Sequence, residues 1–324
     1  MSTDHHIVAA DAKGVAETAA ALTAGKLAAF PTETVYGLGA DATNDEAVAA
    51  IFAAKDRPDF NPLIVHTADM ESAGGFVAFN AMAKKLAARF WPGALSMVLP
   101  RRADSGLSQL VSAGLDTVAV RVPSHPIARE MLAQCNCPVA APSANRSGQI
   151  SPTEALHVAQ SLPGPGDGGP AIILDAGACP VGLESTVIDL STQRPSLLRP
   201  GGIPIEELQA VTGSLVIAGS DDQTPKSPGM LSRHYAPATP LRLNATTPEN
   251  GEALLAFGSS AEGATLNLSA AEDLREAAAN LFSMLHRLDA EGHTGIAVAA
   301  IPEHGLGRAI NDRLRRAASV GEEI

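Results

Sequence analysis

This chain of 324 residues predicts an α/β protein: a twisted mixed sheet with packed helices, then a second, smaller α/β unit. Three observations carry that expectation. Short apolar, β-branched runs outnumber the helical stretches between them, so some neighbouring strands must be antiparallel. A polar, Pro-containing stretch without periodicity, AGSDDQTPKSPGMLSRHYAPATP (218–240), divides the chain. The length also exceeds the ~250–300 residues at which single cores stop growing.

In order, an Ala-rich helix near 11–25 precedes the strand LAAFP (27–31). From Phe30 to His66 the chain reads as a strand, a Gly-containing turn, a helix over 44–55, a basic turn and the strand PLIVH (62–66). A helix over 80–90 stops at Trp91-Pro92-Gly93. The apolar runs LSMVLP (95–100), TVAVRVP (117–123), CPVAAPS (137–143), AIILDAG (171–177) and STVIDL (185–190) read as strands, with SLPGPGDGGP (161–170) a loop among them. After 218–240 come LLAFGSS (254–260), TLNLS (265–269), a helix near 270–290, GIAVAAIP (295–302) and a helix near 305–318. Leu274, Ala278, Leu281, Leu285 and Leu288 recur at helical spacing as one buried stripe. The expected organisation is residues 1–217, a linker over 218–240, and a small Rossmann-like α/β domain over 241–324. That last unit lacks G-x-G-x-x-G, and the turn Gly258-Ser259 alone does not mark a nucleotide site.

Composition excludes several classes. Hydrophobic content of 45% with 3% aromatics fits an Ala-, Val- and Leu-rich globular enzyme. No apolar run reaches spanning length, and the amino terminus has no signal-peptide pattern, so a cytoplasmic protein is expected. Cys135, Cys137 and Cys179 form no C-x-x-C pair, which leaves them as buried or incidental thiols. Net charge is −12, and residues 1–220 hold 14 basic against 21 acidic side chains. Nucleic-acid binding draws on clustered Lys and Arg, so stable direct tRNA binding is not expected.

Two segments bring chemistry to strand ends, where open α/β sheets bind ligands. Lys55 and Arg57, followed by Asn61-Pro62, put two cations at a helix end; they suit a polyanion, or equally a solvated helix terminus. In PVAAPSANRSGQISPT (138–153) an apolar strand gives way to Ser143, Asn145 and Ser151. These read as donors to phosphate or as a strand terminus and turn, with Ser151 a candidate cap for the helix of TEALHVAQ. Arg121, between two valines, either points to solvent by strand alternation or offers a guanidinium fork to a carboxylate. Thr34, His66 and Ser185 supply short polar groups, and Tyr235 is one of only two tyrosines.

The K-x-R turn and the distant S-x-N resemble the signature of the Sua5/YrdC family of threonylcarbamoyl-AMP synthases. FWPGALSMVLP (90–100), VAVRVPSHP (118–126), GLESTVIDL (182–190) and LLRPGGI (197–203) are similar to further family blocks in the family's order. SPGMLSRHYAPATPL (227–241) is similar to the linker of the long, two-domain form. The resemblance implies a YrdC-like first domain and a reaction joining L-threonine, bicarbonate and ATP, with Mg²⁺ on the phosphates. It implies catalytic roles for Lys55 and Arg57. ATP contacts would be Lys55, Arg57, Asn61, Thr117, Ser143, Asn145, Ser151, Arg199 and Tyr235. L-threonine contacts would be Thr34, His66, Arg121, Ala141 and Ser185. It further implies a linker acting as a lid, and a downstream threonylcarbamoyl transferase complex acting on adenosine 37 of tRNA. Two other classes share the family's domain. A YrdC-like RNA-binding module conflicts with the acidic balance, and a hydrogenase-maturation carbamoyl-transfer domain expects acylphosphatase and zinc-finger segments that this sequence lacks.

Overall fold

The computed structural model describes residues 5–58, 61–217, 234–259 and 263–319. The first unit begins with β1 (Ile7–Ala9), α1 (Ala12–Thr23), β2 (Ala28–Phe30), β3 (Gly37–Asp41), α2 (Asp45–Lys55), β4 (Ile64–His66), α3 (Met70–Gly74) and α4 (Ala81–Phe90). It continues with β5 (Leu95–Pro100), β6 (Thr117–Arg121), α5 (Pro126–Cys135), β7 (Val139–Ala140), α6 (Ala155–Ser161), β8 (Ile172–Asp175), β9 (Thr186–Asp189), β10 (Ser196–Arg199), α7 (Ile205–Thr212) and β11 (Val216–Ile217). Among the described residues these strands form an eleven-stranded sheet in the order β1-β8-β2-β3-β7-β4-β6-β5-β9-β10-β11.

The sheet is mixed, as the strand-rich pattern predicts. β4–β6 and β5–β9 are parallel, whereas β2–β3, β4–β7, β5–β6 and β9–β10 are antiparallel. The Gly-containing segment after Phe30 is not a turn but strand β3. Gly39 is needed there because a Cβ would meet Phe30 at 2.8 Å and Val139 at 2.9 Å. Periodicity passed over β3 because its two glycines remove the side chains that alternation is read from. Of CPVAAPS only Val139–Ala140 forms a strand, since prolines flank it and lack the N–H a ladder needs. Helices start at conventional caps: Asp11, Asn44 and Asn80 side chains accept from backbone N–H groups of the first turns.

The second unit comprises β12 (Leu241–Leu243), β13 (Glu252–Ala256), β14 (Leu266–Asn267), α8 (Leu274–Ala290), β15 (Gly295–Val298) and α9 (Gly307–Ala318). Among the described residues its four strands are all parallel, in the order β12-β15-β13-β14. The stripe on α8 is buried at Ala278, Leu281, Leu285 and Leu288, with Leu274 half-buried at the helix start. This core also takes in Val35, Ile150, Leu183 and Tyr235 from outside the unit. At Gly182 (φ 71°) the first unit comes so close to α8 that a Cβ would lie 2.5 Å from the Ala278 carbonyl oxygen. Of the linker expected over 218–240, residues 218–233 lie outside the described residues.

Candidate active site

A cavity opens at the ends of β4, β6 and β7. Its walls include Thr34, Arg57, His66, Arg121, Ala141, Ser143, Ser185, Arg199 and Tyr235, nine of the residues singled out from sequence.

Its cationic end starts at a helix terminus. Asp56 caps α2 in left-handed backbone (φ 49°, ψ 42°), and this turn leaves both Lys55 and Arg57 buried rather than solvated. The Lys55 Nζ donates to the carbonyl of Ser143 at 2.5 Å and to that of Asn145, so the K-x-R and S-x-N segments bond directly to each other. Burial, reinforced by Arg57, pushes the Lys55 pKa well below its ordinary value. Arg57 donates to the Asn61 carbonyl at 3.3 Å and the Pro62 carbonyl at 3.1 Å, and burial with Arg199 nearby brings its pKa down to about 10. Arg199 is buried on β10, held by the Ser185 carbonyl at 2.9 Å and hydroxyl at 3.3 Å. Thr117 is not a wall residue. Continuing the Ile64–Ala119 register by two residues sets it beside Pro62, at the Arg57 end of the strand.

The other end is neutral overall. Arg121 does not point to solvent: it is buried, donating to Glu33 Oε1 at 2.6 Å, Thr34 Oγ1 at 2.9 Å and the Gly93 carbonyl at 3.2 Å. Three of its five N–H groups are thus used, leaving two for a ligand. His66 is held at Nδ1 by the Ile64 carbonyl at 3.2 Å, and burial plus the Arg121 charge lowers its pKa to about 3. It is therefore a neutral ring. The Ser185 hydroxyl bonds that of Ser96 at 2.7 Å, and the Ala141 N–H is tied to the Ile64 carbonyl at 2.9 Å.

Ser151 departs from its expected role as a cap. Helix α6 starts at Ala155 after Glu154, and Ser151 instead donates to Glu184 Oε1 at 2.5 Å. Nor is Tyr235 exposed, as a linker residue would be; its ring stacks on Phe282 at 5.6 Å and lies 5.1 Å from the Arg313 guanidinium carbon.

Sequence reasoning missed Thr32, Glu33, Glu184, His234 and Arg313. Glu33 and Glu184 stand beside Thr34 and Ser185, but a carboxylate has the wrong sign for an anion site until its partner is known. Those partners are Arg121 for Glu33 and Arg313 for Glu184, the latter at 2.9 Å. His234 is a wall residue adjoining Tyr235, and burial together with Arg57, Lys55 and Arg199 keeps it neutral.

Several buried polar atoms here meet no protein partner among the described residues: both amide atoms of Asn61, Asn145 Oδ1, His234 Nδ1 and the Tyr235 hydroxyl. A buried polar group without a partner costs about 1–3 kcal/mol. Several around three buried cations mark a site built for a polar, anionic ligand.

The geometry defines an α/β enzyme whose cavity pairs a polyanion end with a small polar end, walled on one side by His234 and Tyr235, with the Tyr235 ring packed against the second unit. Comparison with known proteins makes this specific. A family model described as telomere recombination, for the Sua5, YciO and YrdC domain, matches residues 20–201. A model of the threonylcarbamoyl-AMP synthase C-terminal domain matches residues 203–319. The chain belongs to the Sua5/YrdC family. The threonylcarbamoyl-AMP synthase of Pyrococcus abyssi (strain GE5 / Orsay) is 42% identical over 314 residues, 91% of either chain. That of Bacillus subtilis (strain 168) is 42% identical over 326 residues, 94% of this chain and 92% of the relative. The crystal structure of P. abyssi Sua5 complexed with L-threonine matches with a TM-score of 0.88 at 38% identity, covering 97% of both chains.

Proposed function

We propose that this protein is an L-threonylcarbamoyladenylate synthase, a nucleotidyltransferase that forms threonylcarbamoyl-AMP and pyrophosphate from L-threonine, bicarbonate and ATP. The observation that carries the reading is the buried cluster of Lys55, Arg57 and Arg199 beside unpartnered Asn61, Asn145 and Tyr235 atoms. Family membership and relatives of that name support it.

The threonine amine takes up the carbon of bicarbonate, forming a C–N bond with loss of water. An oxygen of the carbamate then attacks the α-phosphorus of ATP, and the bond to the bridging oxygen of the β-phosphate breaks. Lys55 and Arg57 stabilise the charge that grows on the leaving pyrophosphate. Asn61, Thr117, Ser143, Asn145, Ser151, Arg199 and Tyr235 contact the nucleotide. The free N–H groups of Arg121 take the threonine carboxylate, while Thr34, His66, Ser185 and the Ala141 backbone take its remaining groups. A neutral His66 accepts a hydrogen bond from the threonine amine without adding a positive charge beside it. Free carbamates are short-lived in water, so closure around the intermediate matters; the end of the linker at His234 and Tyr235 provides it.

Among the described residues no group of three or more His, Cys, Asp or Glu could hold a metal ion. Mg²⁺ in such reactions is held mainly by the substrate phosphates, so in this reading the ion accompanies ATP as part of the substrate. The product passes to a threonylcarbamoyl transferase complex acting on adenosine 37 of tRNA, without stable tRNA binding by this chain. No helix among the described residues is long and apolar enough to cross a membrane, and a cytoplasmic site accords with a tRNA-modifying role. The organisation that supports this chemistry is a catalytic domain over 1–217, a linker with lid function over 218–240 and a C-terminal domain over 241–324.

The direct test is pyrophosphate release with ATP and each combination of threonine and bicarbonate. Release that requires all three supports the reading; release without threonine, or none at all, refutes it.

A further inference from the structure

We propose that Arg313, on the last helix of the C-terminal unit, is a positioning residue that sets Glu184 and Tyr235 in the cavity for adenylate formation. The inference rests on the synthase reading above. It gives the second domain a part in catalysis through one side chain.

Arg313 is the largest fully buried side chain among the described residues. Two of its nitrogens donate hydrogen bonds, and the third, Nη2, is buried with no hydrogen-bond partner among the described residues. Nε donates to Glu184 Oε2 at 2.9 Å. Nη1 donates to the Pro200 carbonyl at 2.7 Å, next to Arg199, and to Asp312 at 2.8 Å. The guanidinium carbon lies 5.1 Å from the centre of the Tyr235 ring, within reach of cation–π attraction. A long cation that merely joined two domains would stay at the rim, half-solvated. Arg313 instead runs to the wall of the cavity.

What it touches needs holding. Tyr235 sits in left-handed backbone (φ 65°), a conformation a bulky residue keeps only when its surroundings enforce it. Arg313 and Phe282, both from the second domain, enforce it from the ring, and the Arg316 carbonyl accepts the neighbouring His234 N–H at 3.4 Å. Glu184 precedes Ser185, whose carbonyl and hydroxyl hold Arg199. The loop that returns from β10 presses on this same stretch: a Cβ at Gly201 would meet the Glu184 carbonyl oxygen at 2.4 Å, and the Gly202 N–H donates to that oxygen at 3.0 Å. A shift of Glu184 therefore passes to Ser185 and Arg199.

The groups facing the Glu184 carboxylate are Arg313 and Asp312 from α9, Arg199 from β10, Ser151, and Tyr235. Burial is the largest single influence and pushes its pKa up, but Arg313, Arg199, the Ser151 hydroxyl and a backbone hydrogen bond together hold it below the ordinary glutamate value. Replacing Arg313 with a neutral side chain leaves burial to compete with Arg199 and the hydrogen bonds. The carboxyl then titrates higher, and its ionised form, which orients Ser151 and the cavity wall, is lost at a higher pH.

The experiment compares the full chain with its Arg313→Met and Arg313→Lys variants. Three readouts are taken: thermal melting, adenylate synthesis across pH, and carbon-13 NMR of the glutamate carboxyls, with Glu184 assigned through Glu184→Gln. In Arg313→Met the Glu184 titration should rise by about 1–3 pH units. The acidic limb of kcat should move with it, so that the loss is at least about tenfold at low pH and partly recovered at high pH. Arg313→Lys keeps the charge and loses the planar fork over the ring; it should leave the Glu184 titration near its original value while raising the KM for ATP. An unchanged titration and pH profile in Arg313→Met would overturn the proposal. So would an activity loss equal at every pH that tracks a lower melting temperature, since that is a purely structural role. Absence of adenylate from the unsubstituted chain sinks the synthase reading and this inference with it, whereas adenylate from that chain with an indifferent Arg313→Met sinks the role of Arg313 alone.

Discussion

A lysine ammonium buried against two backbone carbonyls, with an arginine two positions on, is expensive to maintain, and a polyanionic substrate is the partner that offsets the cost. Arg57→Ala should lower pyrophosphate release by about 10²–10³-fold, the usual consequence of removing one donor aimed at transition-state charge. Arg57→Lys should recover only part of this, because an ammonium is a point charge without the fork. Steady-state assays with melting curves check both. Equal turnover in all three would contradict the assignment. Arg121 requires a different design, because Arg121→Ala strands Glu33 as a buried unpaired carboxylate at a cost of about 3–5 kcal/mol. The double variant Arg121→Met, Glu33→Gln should recover most of that stability while L-threonine affinity stays lost and ATP affinity holds within a few-fold. Calorimetric titration of each ligand decides; an equal loss for both ligands would assign Arg121 to the shared cavity. At this scale the motif residues Lys55, Arg57, Ser143 and Asn145 were legible, because their types and order carry a family signature. Glu33, Glu184 and Arg313 were not, because each is explained only by a partner 88 to 129 positions away.

Among elements, the regular ones were legible because pattern and caps agree. The helix expected over 44–55 is α2 (Asp45–Lys55), and LSMVLP is β5 residue for residue. Elements escaped where local signal was weak. β3 is Gly-rich, β10 overlaps the family block LLRPGGI and α7 follows it, neither with a distinct apolar period, and β11 is two residues long. Gly182, which opens the GLESTV segment ahead of β9, is an instance of fold serving site. Gly182 combines left-handed backbone with backbone contact to α8, so Gly182→Ala has no room and no relaxed conformation. It should destabilise the protein by about 1–3 kcal/mol and weaken nucleotide binding, because it pushes α8 from Leu183 and Tyr235. Denaturant melts and ATP titration test this; a variant as stable and as tight-binding as the parent would show that the two units can shift independently.

For the whole molecule, the burial that makes the cavity also sets an acid limit. His66 is held down to about 3 by burial and Arg121, and His286, stacked on His157 across the two units, to about 4 by burial and that neighbour. Unfolded histidines protonate near ~6.5, so below that value the unfolded chain takes up protons that the native state refuses. Stability is therefore complete above about pH 6.5 and falls as the pH drops toward these two values, by about 1.4 kcal/mol per pH unit for each ring. Denaturant midpoints at pH 7 and pH 5 should differ accordingly, and His286→Gln should remove part of the difference; equal midpoints would contradict the burial of both rings. The central claim, that one closed cavity joins three substrates, is tested most directly by mass spectrometry after incubation with ATP, L-threonine and carbon-13 bicarbonate. The expected product is a threonylcarbamoyl adenylate carrying one labelled carbon, formed one-for-one with pyrophosphate. An adenylate of threonine itself, without the labelled carbon, or no adenylate while ATP and threonine both bind, would contradict it.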